Sequence, residues 1–306
     1  MTIKDKAFDI AMQNKKVLLE QKRKELDNKL SKAFSFKDIS EAQKEFTSAR
    51  FSNFDGSNDA LVKEKKKAFE AALKKHGFTL EDIAPQEYLC NICKDYGKVN
   101  GKVCSCIQKD YILALVSESG LGDNFFTIKD SSLDAIADEE AKKALTKYYH
   151  QMQILASKYP DIKKNTFLFL GKTGTGKTRL AQATAGEFII NEHSVKFVSA
   201  YKFNSDMIAA HISPISQKNI ALEDYLTSDL LIIDDLGTEP ITRNVTLEYL
   251  YLVLSQRQQD NKPTIIRTNV DGNGFLSRYQ ERIFSRLTSK AFSLIYNFTG
   301  SDLRIK

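Results

Sequence analysis

The segment TFLFLGKTGTGKTRLAQATAGEF, residues 166–188, limits what this 306-residue chain can fold into more than any other. An apolar run of strand length enters GKTGTGKT, residues 171–178, and helix-like sequence follows. The eight residues match G-x-x-x-x-G-K-[ST] in full, in the strand-to-helix setting that gives the motif its meaning. Glycines at Gly171, Gly174 and Gly176 let the backbone turn so that successive N–H groups point inward, and the helix adds the positive end of its dipole. Such a loop suits phosphate. Lys177 is placed for the β- and γ-phosphates of ATP and the Thr178 hydroxyl for Mg²⁺, with Lys172, Thr173, Thr175 and Arg179 completing the expected nucleotide contacts.

Beyond residue 165, further apolar runs alternate with helical segments: VKFVSA, DLLIID, PTIIRT and FSLIYNF. The alternation predicts an α/β fold with a mostly parallel sheet covered on both faces. DLLIIDD releases two carboxylates at the C-terminal end of a buried strand, where open α/β sheets bind ligands. Asp234 is the candidate for holding Mg²⁺, and Asp235 for orienting the attacking water and accepting its proton. PTIIRTN ends at Asn269, which reaches the γ-phosphate if its strand lies between the other two. In SRYQERIFSRL, the four-residue spacing of Arg278, Arg282 and Arg286 predicts three guanidinium groups on one helix face, either a solvated surface or a phosphate clamp offered to a neighbouring subunit.

In this order, GKTGTGKT, LLIIDD, IIRTN, ERIFSRL and the closing GSDLR resemble the AAA+ ATPases of the bacterial helicase-loader type, the DnaC/DnaI group. The resemblance covers residues 120–306. It implies an AAA+ P-loop domain in which Asn269 is the sensor-1 residue, Arg286 the arginine finger with Arg282 as second choice, and Arg304 the sensor-2 arginine. It also implies that the segment after the acidic strand meets single-stranded DNA, with Thr242, Arg243 and Asn244 as candidates. Transposition helper ATPases of the IstB type share these signatures and stay open as an alternative. So does an adaptor that binds nucleotide without hydrolysing it, because Asp235 stands where many relatives carry glutamate.

All four cysteines fall in CNICKDYGKVNGKVCSC, residues 90–106. Cys90, Cys93, Cys104 and Cys106 have the spacing C-x₂-C-x₁₀-C-x-C, and a glycine-containing loop could fold the two pairs around Zn²⁺. His76 could replace one thiolate, and four free thiols remain the bland alternative. Upstream, KAFDIAMQNKKVLLEQKRKELDNKLSKAF and ALVKEKKKAFEAALKKHG predict two antiparallel amphipathic helices. A helical region followed by a cysteine knuckle is similar to the amino-terminal module of Gram-positive-type helicase loaders. The expected division is therefore a helical, zinc-binding, helicase-contacting domain at 1–118 and an AAA+ domain at 119–306. The implied partners are the hexameric replicative DNA helicase, single-stranded DNA and further copies of the chain.

Charge narrows the nucleic-acid reading. Residues 1–76 hold 18 Lys and Arg against 12 Asp and Glu, an excess equal to the whole chain's +6. The remainder is balanced and cannot hold nucleic acid by bulk charge, so any strand it grips must lie in a locally basic groove. The opening MTIKDKAFDI shows neither signal peptide nor anchor, which leads to an expectation of a cytoplasmic protein without a membrane partner.

Overall fold

The computed structural model describes residues 1–53, 58–84, 88–134, 136–300 and 302–303. They form two compact units, one made of residues 12–107 and the other of residues 1–11 with 108–306. The divisions fall inside helices α1 (Ile3–Phe34) and α5 (Ser105–Ser119).

In the smaller unit, α1 is followed by α2 (Lys37–Ser52), α3 (Asp59–Lys75) and the single turn α4 (Leu80–Ile83). Thr79 and Asp82 cap α4 reciprocally, each side chain accepting from the other's backbone N–H. Two helices were expected here and three long ones are found. The additional helix, α2, buries Ile39 and Ala49 and packs Ala42 and Phe46 on the core, a helical spacing that was available in the sequence and was passed over. Ile39 joins Ala33, Phe69, Leu73 and Ile83 in the local core. A minimal hairpin, β1 (Lys98–Val99) with β2 (Lys102–Val103), then carries the chain between the two cysteine pairs.

The larger unit continues with α6 (Glu139–Lys158), β3 (Thr166–Gly171), α7 (Lys177–Ile190), β4 (Val195–Ser199), α8 (Ala200–Ile212) and α9 (Ile215–Thr227). It ends with β5 (Leu230–Leu236), α10 (Thr246–Gln259), β6 (Thr264–Thr268), α11 (Gly272–Thr288) and β7 (Ser293–Phe298). Its five strands are all parallel, in the order β4-β5-β6-β3-β7. The α/β expectation holds, and all five strands lie where the apolar runs placed them. The centres of β3 and β5 read as unbroken apolar sequence because both their faces are covered. Ile232, Ile233, Ile265, Ile266 and Phe169 are fully buried, each contributing about 2 kcal/mol by leaving water.

Arg257 on α10 is also fully buried, its guanidinium held mainly by backbone carbonyls and within the field of Asp229 and Asp260. It donates to the carbonyls of Tyr225, Ser228 and Pro263 and to Thr264 Oγ1, tying α9 and the start of β5 to β6. Among the described residues, no helix is long and apolar enough to cross a membrane.

Candidate nucleotide and metal sites

The strand order sets the nucleotide cleft. β6 lies between β3, which ends in the glycine loop, and β5, which ends in the acidic pair, so three strand ends open on one place. Gly176 adopts φ 91° as the N-cap of α7, a conformation that costs glycine nothing. Gly171 sits so close to β7 that a Cβ there would meet the Phe298 carbonyl oxygen at 2.3 Å. Lys177 begins α7 with only 2% of its surface exposed. Its Nζ donates to the carbonyls of Gly171 (2.7 Å) and Lys172 and to Thr175 Oγ1. The loop therefore holds the ammonium inside its own curve.

A β-bulge shapes the acidic end. Ile233 pairs with Ile266 and Leu236 with Thr268, so β5 contains one residue more than β6 over this stretch, and Asp235 takes the left-handed φ of 62°. In a regular strand Asp234 and Asp235 would point to opposite faces. At the bulge they meet the same guanidinium instead: Arg267 of β6 pairs with Asp234 Oδ1 through Nε and with Asp235 Oδ1 through a terminal nitrogen at 3.2 Å. Asn269, just past the end of β6, donates from Nδ2 to Asp235 Oδ1 at 2.8 Å. Burial pushes the Asp234 carboxyl above its ordinary value, outweighing the opposing pull of Arg267 and Lys177. The partly buried Asp234 carboxylate, its charge disfavoured by burial, together with the Thr178 hydroxyl that follows Lys177 on α7, is a donor set of oxygens that fits Mg²⁺.

The cleft is lined by Thr173, Gly174, Gly176, Lys177, Thr178, Arg179, Asp235, Arg267 and Asn269, among others. The guanidinium of Arg179 lies 4.9 Å from the Phe126 ring centre. Leu303 N–H donates to the Gly174 carbonyl at 3.0 Å, which brings the described end of the chain to the loop. Arg304, the sensor-2 candidate, lies outside the described residues.

Arg282 and Arg286 do not line this cleft. Both guanidinium groups lie over the Tyr251 ring of α10, at 5.1 and 5.0 Å. Arg282 also pairs with Glu248 at 2.6 Å, and Arg286 donates to Tyr251 Oη at 3.1 Å and Gln258 Oε1 at 3.3 Å. The three-arginine face expected on α11 is not formed. Gln280, with φ 65° and ψ 161°, breaks the helix between Arg278 and Arg282, and Arg278 donates instead to the Glu239 carbonyl. Of the candidate DNA-contacting residues, Arg243 and Asn244 are exposed in a turn before α10, while Thr242 is half-buried, its N–H donating to Thr246 Oγ1.

The cysteine segment forms a site of its own. The four Sγ atoms of Cys90, Cys93, Cys104 and Cys106 lie within 4.8 Å of one another. Cys90 and Cys104 are 3.8 Å apart and Cys93 and Cys106 are 3.5 Å apart, both too long for a disulfide of about 2.05 Å. A tetrahedron with Zn–S bonds of about 2.3 Å has edges of about 3.8 Å, so these spacings suit Zn²⁺. Backbone N–H groups of Cys93 and Ile92 turned on Cys90 help hold its thiol down at about 6 against the effect of burial. His76 is not a member of the cluster. Its Nε2 lies 3.0 Å from both oxygens of Asp38, and its ring stacks on Phe36, so the fourth-ligand alternative is set aside.

Two participants were missed in the sequence. Lys15 of α1, 5% exposed, places Nζ 2.9 Å from Asp95 Oδ1 and 3.1 Å from Cys106 Sγ. Burial works against its charge, but Asp95 and Cys106 outweigh it and hold the ammonium above its ordinary value. Arg267 was passed over although its signal was available, since an arginine within a buried strand requires an anionic partner.

A family model described as IstB-like ATP binding protein matches residues 134–285, the span that contains the glycine loop, the acidic pair and Asn269. This region is an IstB-like ATP-binding domain of the AAA+ class. Two relatives of the domain are named replicative helicase loader DnaC. The one from Buchnera aphidicola subsp. Acyrthosiphon pisum is 30% identical over 124 residues, 40% of this chain and 50% of the relative. The one from Escherichia coli K12 is 25% identical over 141 residues, 46% of this chain and 57% of the relative. The chain thus spans about half the length of the curated relatives it matches. A crystal structure of DnaI aligns with 58% of this chain and 90% of its own, at 21% identity and a TM-score of 0.44. The resemblance of the IstB-like domain to the DnaC/DnaI group, drawn from its motifs, is borne out.

Proposed function

We propose that this chain is an ATP-dependent loader that delivers a hexameric replicative DNA helicase onto single-stranded DNA in the cytoplasm. Residues 1–118 would hold the helicase and residues 119–306 would act as the ATPase. The observation that carries this reading is the convergence of Lys177, Asp235 and Asn269 on one cleft of an IstB-like domain, with Asp234 joined to Asp235 through Arg267.

Each side chain is assigned a task in this reading. Lys177 turns from the loop carbonyls to the β- and γ-phosphates, while the loop N–H groups and the start of α7 hold the remaining phosphate oxygens. Thr178 and Asp234 would hold Mg²⁺, which supplies charge neutralisation for the phosphate oxygens. Asp235, the more exposed of the two carboxylates, accepts the proton of the attacking water, and Asn269 fixes its orientation through the 2.8 Å hydrogen bond. Arg286, with Arg282 beside it, faces the nucleotide of a neighbouring copy and makes assembly sensitive to the γ-phosphate. Arg243 and Asn244 meet the DNA strand. Cys90, Cys93, Cys104 and Cys106 would hold Zn²⁺, which supplies the rigidity that a segment with so short a hairpin lacks.

ATP turnover with and without single-stranded DNA, combined with co-purification against a hexameric helicase, tests this reading. Helicase capture with nucleotide-dependent release is expected. Capture of a transposase instead would establish the transposition-helper alternative, which the IstB-like description of the family favours. Binding of ATP without turnover under every condition would leave an adaptor.

A further inference from the structure

Arg267 is 8% exposed and lies at the centre of the sheet, on the strand flanked by both the glycine-loop strand and the acidic strand. One guanidinium engages both carboxylates of the acidic pair, Asp234 through Nε and Asp235 through a terminal nitrogen. Asn269, just past the end of that strand, reaches the same Asp235 oxygen. Arg267 also lines the cleft, alongside Lys177 and Thr178. The acidic pair therefore carries an internal cation.

We propose that Arg267 competes with Mg²⁺ for the Asp234–Asp235 pair and so sets the magnesium concentration at which the site takes ATP. The inference rests on the nucleotide-site reading above. A divalent cation near Asp234 must draw on lone pairs that Arg267 now occupies, and it meets the repulsion of a nearby guanidinium in a partly buried site. Two positive groups several ångströms apart at intermediate dielectric repel by more than thermal energy, enough to change an equilibrium on the order of tenfold. Arg267 thus acts as a positioning residue. It holds the two carboxylates together through the bulge and yields them when Mg²⁺ arrives with nucleotide.

The test is a magnesium titration of ATP binding, read by calorimetry at constant ionic strength, on the full chain and on two variants. Arg267→Gln removes the competing charge, and Arg267→Lys keeps it without the fork. The half-saturating Mg²⁺ concentration should fall on the order of tenfold in Arg267→Gln and stay near the parental value in Arg267→Lys. Equal values for all three proteins, or a higher value in Arg267→Gln, would overturn the proposal.

Thermal unfolding without nucleotide supplies the second readout. Mg²⁺ should raise the midpoint of Arg267→Gln more than that of the parent, because two unpaired carboxylates gain a partner. If Arg267→Gln folds only with Mg²⁺, the proposal is supported. If it is destabilised equally with and without Mg²⁺, or fails to fold in both, Arg267 is a structural ion-pair partner and the proposal is wrong. A parental chain that takes up no ATP at any Mg²⁺ concentration would instead remove the nucleotide-site reading itself.

Discussion

Gly171→Ala tests whether the loop is held in place by its strand neighbour. Gly171 has φ 149° and pairs with Phe298 in the β3–β7 ladder. An alanine Cβ would lie 2.3 Å from the Phe298 carbonyl oxygen, 2.9 Å from its Cβ and 3.1 Å from its carbonyl carbon. Ordinary carbon–oxygen contacts begin near about 3.3 Å, so β7 must move by about 1 Å. The atoms in the way belong to the backbone or to a Cβ, so a rotamer change cannot relieve the contact. Overpacking of this kind costs about 1–3 kcal/mol and the positive φ adds about 1 kcal/mol, giving about 2–4 kcal/mol altogether. For a domain of this size the midpoint should drop on the order of 10 °C. ATP binding should weaken as well, since the Gly171 carbonyl is one of the Lys177 acceptors. Gly122→Ala is the control: its φ is 57° but nothing lies within 4 Å of the added Cβ, so only the conformational cost of about 1 kcal/mol remains. Thermal and urea unfolding compare the two. A Gly171→Ala protein no less stable than Gly122→Ala would refute the packing argument.

Three further outcomes are expected. Arg286→Ala should leave ATP binding near the parental value and reduce turnover on the order of a thousandfold, which a turnover assay with DNA and helicase would contradict by returning the parental rate. Lys15→Met should weaken zinc retention by about 10- to 100-fold against a competing chelator, because it removes the cation 3.1 Å from Cys106 Sγ; unchanged retention would show that Lys15 serves packing alone. Hydrogen bonds from His76 and Lys75 depress the Asp38 carboxyl from 3.8 to about 2, so its contribution to the stability of residues 12–107 is complete above pH 3.8 and is lost as pH falls through about 2. Asp38→Asn should lack that part of the acid dependence in a circular-dichroism titration, and an acid limb identical to the parent's would disprove the assignment.

Much of the sheet could be read in the sequence because a strand buried on both faces has nowhere to place a polar residue. FLFL and LLII carry that constraint in every position. The exception in PTIIRT, Arg267, was the one residue in these strands that demanded a partner, and the partner was the acidic pair already singled out. Helix α2 was legible and passed over, since Ile39, Ala42, Phe46 and Ala49 recur at helical spacing on the side that meets the core. The break at Gln280 could not be read at all, since nothing in SRYQERIFSRL marks a residue for a positive φ, and it separates arginines whose spacing promised one face. Lys15 illustrates a different limit. It joins sulfurs 78 and 91 positions away, a proximity that no local pattern encodes.

The proposed function requires that the glycine loop and the acidic pair serve one magnesium-dependent ATP. Calorimetric titration of the purified chain with ATP, with and without Mg²⁺, measures this directly in the parent and in Lys177→Ala. The predicted result is one ATP per chain, bound in a magnesium-dependent manner by the parent and not detectably by the variant. Absence of binding in the parent, or equal binding in both proteins, would contradict the claim.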